Sequence, residues 1–171
     1  MRAVFLFVMM IIFDVLQTML RSVGINFPLM PLLIFYAAYV YGPAFGFLLA
    51  LPAALLVDFS GGWPHPWSIT GYLLSAGLAV FWLHRIESDS LLLLTIPGGL
   101  LPLVGDLPQN LLAGGLSLEN ISGSLADALA NGLLGAILFP FWIILLDFLG
   151  KRIGLQTYGE AGERLKREKI Q

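Results

Sequence analysis

Four carboxylates interrupt otherwise apolar stretches of this chain: Asp14, Asp58, Asp106 and Asp127. Three of them are followed by an amide at helical spacing. Gln17 stands three residues after Asp14, Asn110 four after Asp106, and Asn131 four after Asp127, so each pair shares a helix face. Ionisable groups in apolar segments are costly to hold, which makes each a candidate for function. Asp147, four residues before Lys151, has instead the spacing of a local ion pair. Catalytic patterns are sparse. Asp58, Ser60, His65 and Ser68 supply the residue types of a hydrolase triad, but Ser60 lacks the G-x-S-x-G elbow such a nucleophile uses. The histidines, His65 and His84, form no HExxH pair, and neither a P-loop nor a dinucleotide fingerprint is present. The chain has no cysteine, which removes disulfides, thiolate-held zinc and thiol catalysis together. Aspartates with only His65 nearby also suit a transition metal poorly. The expectation is a protein that is not an enzyme, with no cofactor, no metal and no small-molecule ligand.

The elements that hold these residues follow from composition. Of 171 residues 58% are hydrophobic and only 12% charged, about half the charge of a typical soluble domain. So few charges cannot build a polar shell, so the chain reads as an all-α polytopic membrane protein. Its apolar runs are continuous rather than alternating, which excludes a membrane barrel. A crossing helix needs about 20 apolar residues. Six candidate spans result, at about 3–20, 28–41, 44–60, 67–84, 90–113 and 124–149, with five the competing count. The second is short and could be a tilted span or half of a re-entrant hairpin with the third. The first is read as a retained span, because Asp14 and Gln17 interrupt it and no small-residue cleavage site follows.

Charge sets the orientation. Residues 1–150 carry three basic and eight acidic groups, a balance of −5; residues 151–171 carry six and three, a balance of +3. With six spans and both termini cytoplasmic, Arg2, Arg85 and the tail are inside and only Arg21 is outside, as the preference of Lys and Arg for cytoplasmic loops requires. Residues 151–171 then read as a short, solvated, basic cytoplasmic tail. Its interleaved acids leave no footprint for nucleic acid.

In this arrangement Asp14, Asp58, Asp106 and Asp127 all fall in the outer half of the membrane. They predict an outward polar pocket between helices 1, 3, 5 and 6, with Asn110 and Asn131 beside it. The competing expectation satisfies each acid separately, and Asp127 fits that well at the positive start of its helix. Small residues repeat every four positions in the third span, at Gly42, Gly46, Ala50 and Ala54, and mark a close-packing stripe that ends on Asp58. Gly71, Ser75 and Ala79 repeat likewise in the fourth, and Ala128, Gly132 and Ala136 in the sixth. The fifth span carries Pro97, Pro102 and Pro108 among glycines and reads as a broken helix around Asp106.

Several of these segments resemble the rod-shape-determining MreD family. They are Pro31–Tyr36, Tyr41-Gly42-Pro43 with Gly46-Phe47, Leu55–Gly62 with its Asp58 and Ser60-Gly61-Gly62 turn, and Asn131 through Pro140-Phe141-Trp142 to Lys151-Arg152. The resemblance covers residues 28–84 and 125–152. The chain departs from the family at Ala54, where glycine is usual, and at Trp63–Trp67, where a Leu-Gly pair usually follows the turn. What the resemblance implies is a bundle similar to the S-components of energy-coupling-factor transporters. It also implies a noncatalytic inner-membrane scaffold for cell elongation. Such a scaffold binds an MreC-like bitopic protein and links the cytoskeleton to the cell-wall synthesis complex. The alternative is an S-component itself, capturing a vitamin or ion.

Overall fold

The computed structural model describes every residue except Gly24, Asn26, Trp63, Pro64, residues 86–90, Gly115, Leu116 and Gln171. Trp63 and Pro64, between the expected third and fourth spans, lie outside that set, as do residue 90 at the start of the expected fifth span and the side chains of His84 and Arg85. The described residues form seven α-helices and one short 3-10 turn at Leu91–Leu94: α1 Arg2–Ser22, α2 Leu29–Tyr41, α3 Pro43–Ser60, α4 Ser68–Arg85, α5 Thr95–Gly114, α6 Leu118–Arg152 and α7 Tyr158–Ile170. No strand occurs among them. Three of the helices, α1, α3 and α6, are long and apolar enough to cross a membrane, and α2 and α4 are shorter apolar helices. The architecture is compatible with a helical membrane protein.

The centre is α2. Its sequence LMPLLIFYAAYVY offers no polar face, and a helix that is apolar all round must be enclosed. All thirteen of its residues are buried. It runs from one end of the bundle to the other: Gln17 of α1 reaches its N-terminus, and Arg2 lies over Tyr41 at its C-terminus. At about 20 Å, α2 is shorter than a bilayer core of about 30 Å. By contrast α1 and α6 leave long apolar faces exposed, including Val4, Phe7, Ile11 and Val15 on one and Leu133, Ile137, Phe141 and Ile144 on the other.

Glycines set how closely the helices pack. A Cβ on Gly46 would strike Ala38 of α2, and one on Gly71 would strike the Gly105 carbonyl of α5. The expected break in the fifth span does not occur, since α5 is a single helix through Pro102 and Pro108. Pro97 lies in its first turn, where no hydrogen bond is lost. Pro102 deprives the Gly98 carbonyl of its donor, and that carbonyl is the atom packed against Gly135 of α6. The freed acceptor is buried against a Cα–H of the neighbouring helix, a contact that recurs at helix–helix interfaces.

The tail is not simply solvated. Gly154, at φ +71°, turns the chain back at the end of α6, and the Leu155 N–H donates to the Gly150 carbonyl at 3.0 Å to close the turn. Helix α7 then opens with a capping box: Thr157 N–H to Glu160 Oε2 at 3.0 Å and Glu160 N–H to Thr157 Oγ1 at 3.4 Å. Tyr158 stacks on Tyr39 of α2 at a ring separation of 4.0 Å, and Ala161 is buried. The expected Asp147–Lys151 ion pair is absent among the described residues. Asp147 Oδ1 accepts instead from the Tyr36 hydroxyl at 2.9 Å and the Tyr158 N–H at 2.8 Å, tying α2, α6 and α7 together.

Candidate functional site

The polar groups of the bundle gather at the end opposite α7. Asp58, 3% exposed at the end of the α3 stripe, accepts two hydrogen bonds from Ser68, one from its N–H at 3.0 Å and one from its hydroxyl at 2.6 Å. Ser68 opens α4, so the carboxylate stands at a helix N-terminus, where unsatisfied N–H groups and the helix dipole both favour a negative charge. The chain reaches this position through Gly61 and Gly62, the latter at φ +69°, a conformation natural to glycine.

One helix over, Ser60 donates to Asp14 Oδ1 at 3.1 Å, pinning the end of α3 to α1. Gln17, one turn further along α1, accepts the Met30 N–H at 3.2 Å and so caps α2, whose own N-cap residue Pro28 makes no side-chain bond. Arg21, at the end of α1, stands within electrostatic range of Asp14, Asp106 and Tyr72. The result is a clasp in which three helix termini are held by side chains from neighbouring helices. Both oxygens of Asp58, Oδ1 of Asp14 and Oε1 of Gln17 are engaged with a backbone N–H or a serine hydroxyl of the bundle.

The expected pocket residues divide accordingly. Asp14 and Asp58 belong to the clasp, through Ser60 and Ser68. Asp106 on α5 joins it at longer range, facing Arg21 and Tyr72, while Asn110 is half-buried one turn further on. Helix α6 begins at Leu118, so Asp127 stands nine residues in, beyond the positive first turn expected for it; it is exposed, and Asn131 is buried on that helix. The arrangement is thus two acids fastened separately, a third nearby and a fourth on the outside of the bundle, not one shared pocket of four. The stripe residues Gly46, Ala50 and Ala54 are buried, and Gly42 forms the turn between α2 and α3 at φ +106°. Ser60 and Ser68 bind different aspartates, and the His65 ring packs edge-on to Trp67 at 5.5 Å. Among the described residues no group of three or more His, Cys, Asp or Glu is placed to hold a metal ion.

Tyr72 and Tyr158 do not stand out in the sequence, and Tyr36 does so only as the end of the Pro31–Tyr36 segment. For Tyr158 a signal existed, since Thr157-x-x-Glu160 is a capping-box pattern that places a helix start beside it. The Tyr36 hydroxyl has no local signal, because its partner Asp147 lies 111 positions away in the chain. Compared with protein-family models, with curated proteins and with solved structures, the chain matches none.

Proposed function

We propose that the chain is a noncatalytic scaffold of the bacterial cell-elongation machinery, similar to MreD proteins. It spans the inner membrane six times with both termini in the cytoplasm. The observation that carries this reading is the unit built on α3, in which Gly46 admits Ala38 of α2 and Asp58 closes on Ser68 of α4. The features that resemble the family, a glycine stripe, a terminal acid and a Ser-Gly turn, act there as one architectural device. A carboxylate engaged in fastening two helices serves a rigid hub. A solute-capture subunit would need it turned toward a ligand.

Charge supports the orientation. Arg2 and the Lys151-Arg152 pair stand at the end of the bundle that α7 covers, and Arg21 stands at the other. The exposed apolar faces of α1 and α6 offer lipid-facing surface to a single-span MreC-like partner that couples the hub to wall synthesis.

Two measurements test the proposal. Because the chain is free of cysteine, single cysteines can be placed without background at Ser22, His65 and Ser117, and at Gly154. An impermeant maleimide should label the first three in intact cells and the last only after lysis; the reverse pattern refutes the orientation. Crosslinking in native membranes followed by purification should enrich a single-span protein with an extracytoplasmic coiled coil. Recovery of a tightly held vitamin and a transmembrane coupling subunit in its place would establish the S-component reading instead.

A further inference from the structure

Helix α6 is longer than a membrane is thick. Its 35 residues extend about 52 Å, against a hydrocarbon core of about 30 Å. The sequence divides it in two. Residues 132–150 carry a single ionisable side chain, Asp147, and Lys151-Arg152 follow at once, so this stretch is long enough to fill the core by itself. Residues 118–131 carry six polar side chains: Glu119, Asn120, Ser122, Ser124, Asp127 and Asn131. With residues 132–150 in the core, they extend about 21 Å beyond it. This overhang is braced by α5. A Cβ on Gly132 would strike the Gly99 carbonyl, and one on Gly114 would strike Asn120, so the two helices stay packed to the end of α5.

The exposed face of α6 changes character at the same point. Toward the Lys151 end it presents Leu133, Ile137, Phe141, Ile144 and Phe148, the large apolar side chains that lipid accepts. On the overhang, Leu118, Leu125 and Leu129 form one edge of that face and are 88%, 42% and 53% exposed. Glu119 and Asp127 lie toward its other edge, with Ser122 and Ala126, small and exposed, between the two. A row of leucines presented to water marks an interaction surface. Among the described residues the Glu119 and Asp127 side chains make no hydrogen bond or ion pair. No Lys, Arg or His stands between Arg85 and Lys151 to neutralise them locally.

We propose that this face, from Leu118 to Leu129, docks a basic amphipathic helix of another protein outside the membrane. The partner's apolar residues cover the three leucines, and its Lys or Arg side chains reach Glu119 and Asp127. A second copy packed symmetrically here would set the acids against the same acids or against the leucines, and neither arrangement is favourable. The inference rests on the membrane reading of the chain but not on its role in cell elongation.

The test uses the full chain in phosphatidylcholine nanodiscs. The probe is a labelled helical peptide with Leu at the a and d positions of each heptad and Lys at e and g, followed by fluorescence anisotropy against empty discs. The wild type should bind it, and should bind the same peptide with Glu in place of Lys on the order of 30-fold more weakly. Glu119→Lys/Asp127→Lys should reverse that preference. Leu125→Ala/Leu129→Ala should lose on the order of 30-fold for the Lys peptide, whereas Leu133→Ala/Ile137→Ala should bind it as the wild type does. If the charge-reversed variant fails to fold, Asp127→Asn alone should show about a threefold loss. No binding of the Lys peptide, equal binding of both peptides, an unreversed preference, or unchanged binding in Leu125→Ala/Leu129→Ala would overturn the site. So would a dimer of the chain that the same leucine variant abolishes. Spin labels on Ala126→Cys and Ile137→Cys should report water at the first and lipid at the second. Lipid at both would overturn the overhang and the site alone, whereas water at both would remove the membrane reading as well.

Discussion

Replacing Asp58 with alanine tests the clasp most directly. Ser68 is fully buried and its N–H and hydroxyl both donate to the Asp58 carboxylate. Truncation therefore strands two buried donors and removes a negative charge from the start of α4. Hydrogen bonds to a charged group contribute about 1.5–3 kcal/mol each, and loss of a capping side chain costs about 1 kcal/mol. These terms overlap, since the N–H bond is the cap, so Asp58→Ala should destabilise by about 3 kcal/mol. Asp58→Asn keeps one acceptor and should cost about 1 kcal/mol. Ser68→Ala loses the hydroxyl alone and should cost about 1.5 kcal/mol. The double variant should cost no more than Asp58→Ala, because the hydroxyl has already lost its partner, giving a coupling of about 1–2 kcal/mol. Reversible unfolding in mixed detergent micelles, followed by circular dichroism, measures all four proteins. Strict additivity of the two single variants, or a loss below about 0.5 kcal/mol for Asp58→Ala, would refute the claim that this carboxylate fastens α3 to α4.

Gly98→Ala should destabilise the α5–α6 pair by about 1–3 kcal/mol through collision with Phe139 and the Gly135 carbonyl, whereas Gly77→Ala, with open space around it, should stabilise by about 0.5 kcal/mol in the same unfolding assay. Tyr158→Ala removes the stack on Tyr39 and should release α7, so limited proteolysis should cleave the tail faster while residues 1–150 remain resistant. Asp127→Asn should change stability by less than about 0.5 kcal/mol, because the side chain is exposed and stands beyond the first turn of α6. A loss comparable to that of Asp58→Ala would place Asp127 in the clasp.

Much of this architecture is legible one helix at a time. The four-residue spacing of Gly46, Ala50 and Ala54 marks the face of α3 that turns inward, and the unbroken apolarity of residues 29–41 marks the helix that must be enclosed. Asp14, Asp58 and Asp106 announce themselves as costly groups needing partners. Their partners were not legible. Asp14 finds Ser60 across 46 positions, and Asp147 takes Tyr36 across 111 in place of Lys151 one turn away. The prolines of α5 misled for a related reason. Local rules count the hydrogen bond lost at Pro102, but the neighbouring Gly135 decides whether the freed carbonyl can be buried.

Composition and periodicity depend on the solvent each side chain prefers, and those preferences act residue by residue. They settle the helical class, the inward faces and the scarcity of polar surface. Which acid caps which helix depends on where separate helices end relative to one another, and that is set by the glycine contacts between Gly46 and Ala38, Gly71 and Gly105, and Gly98 and Gly135. The tertiary fold thereby turned four scattered carboxylates into two fastenings, one long-range neighbour and one exposed charge. It also turned a tail that looked solvated into a helix docked beneath α2.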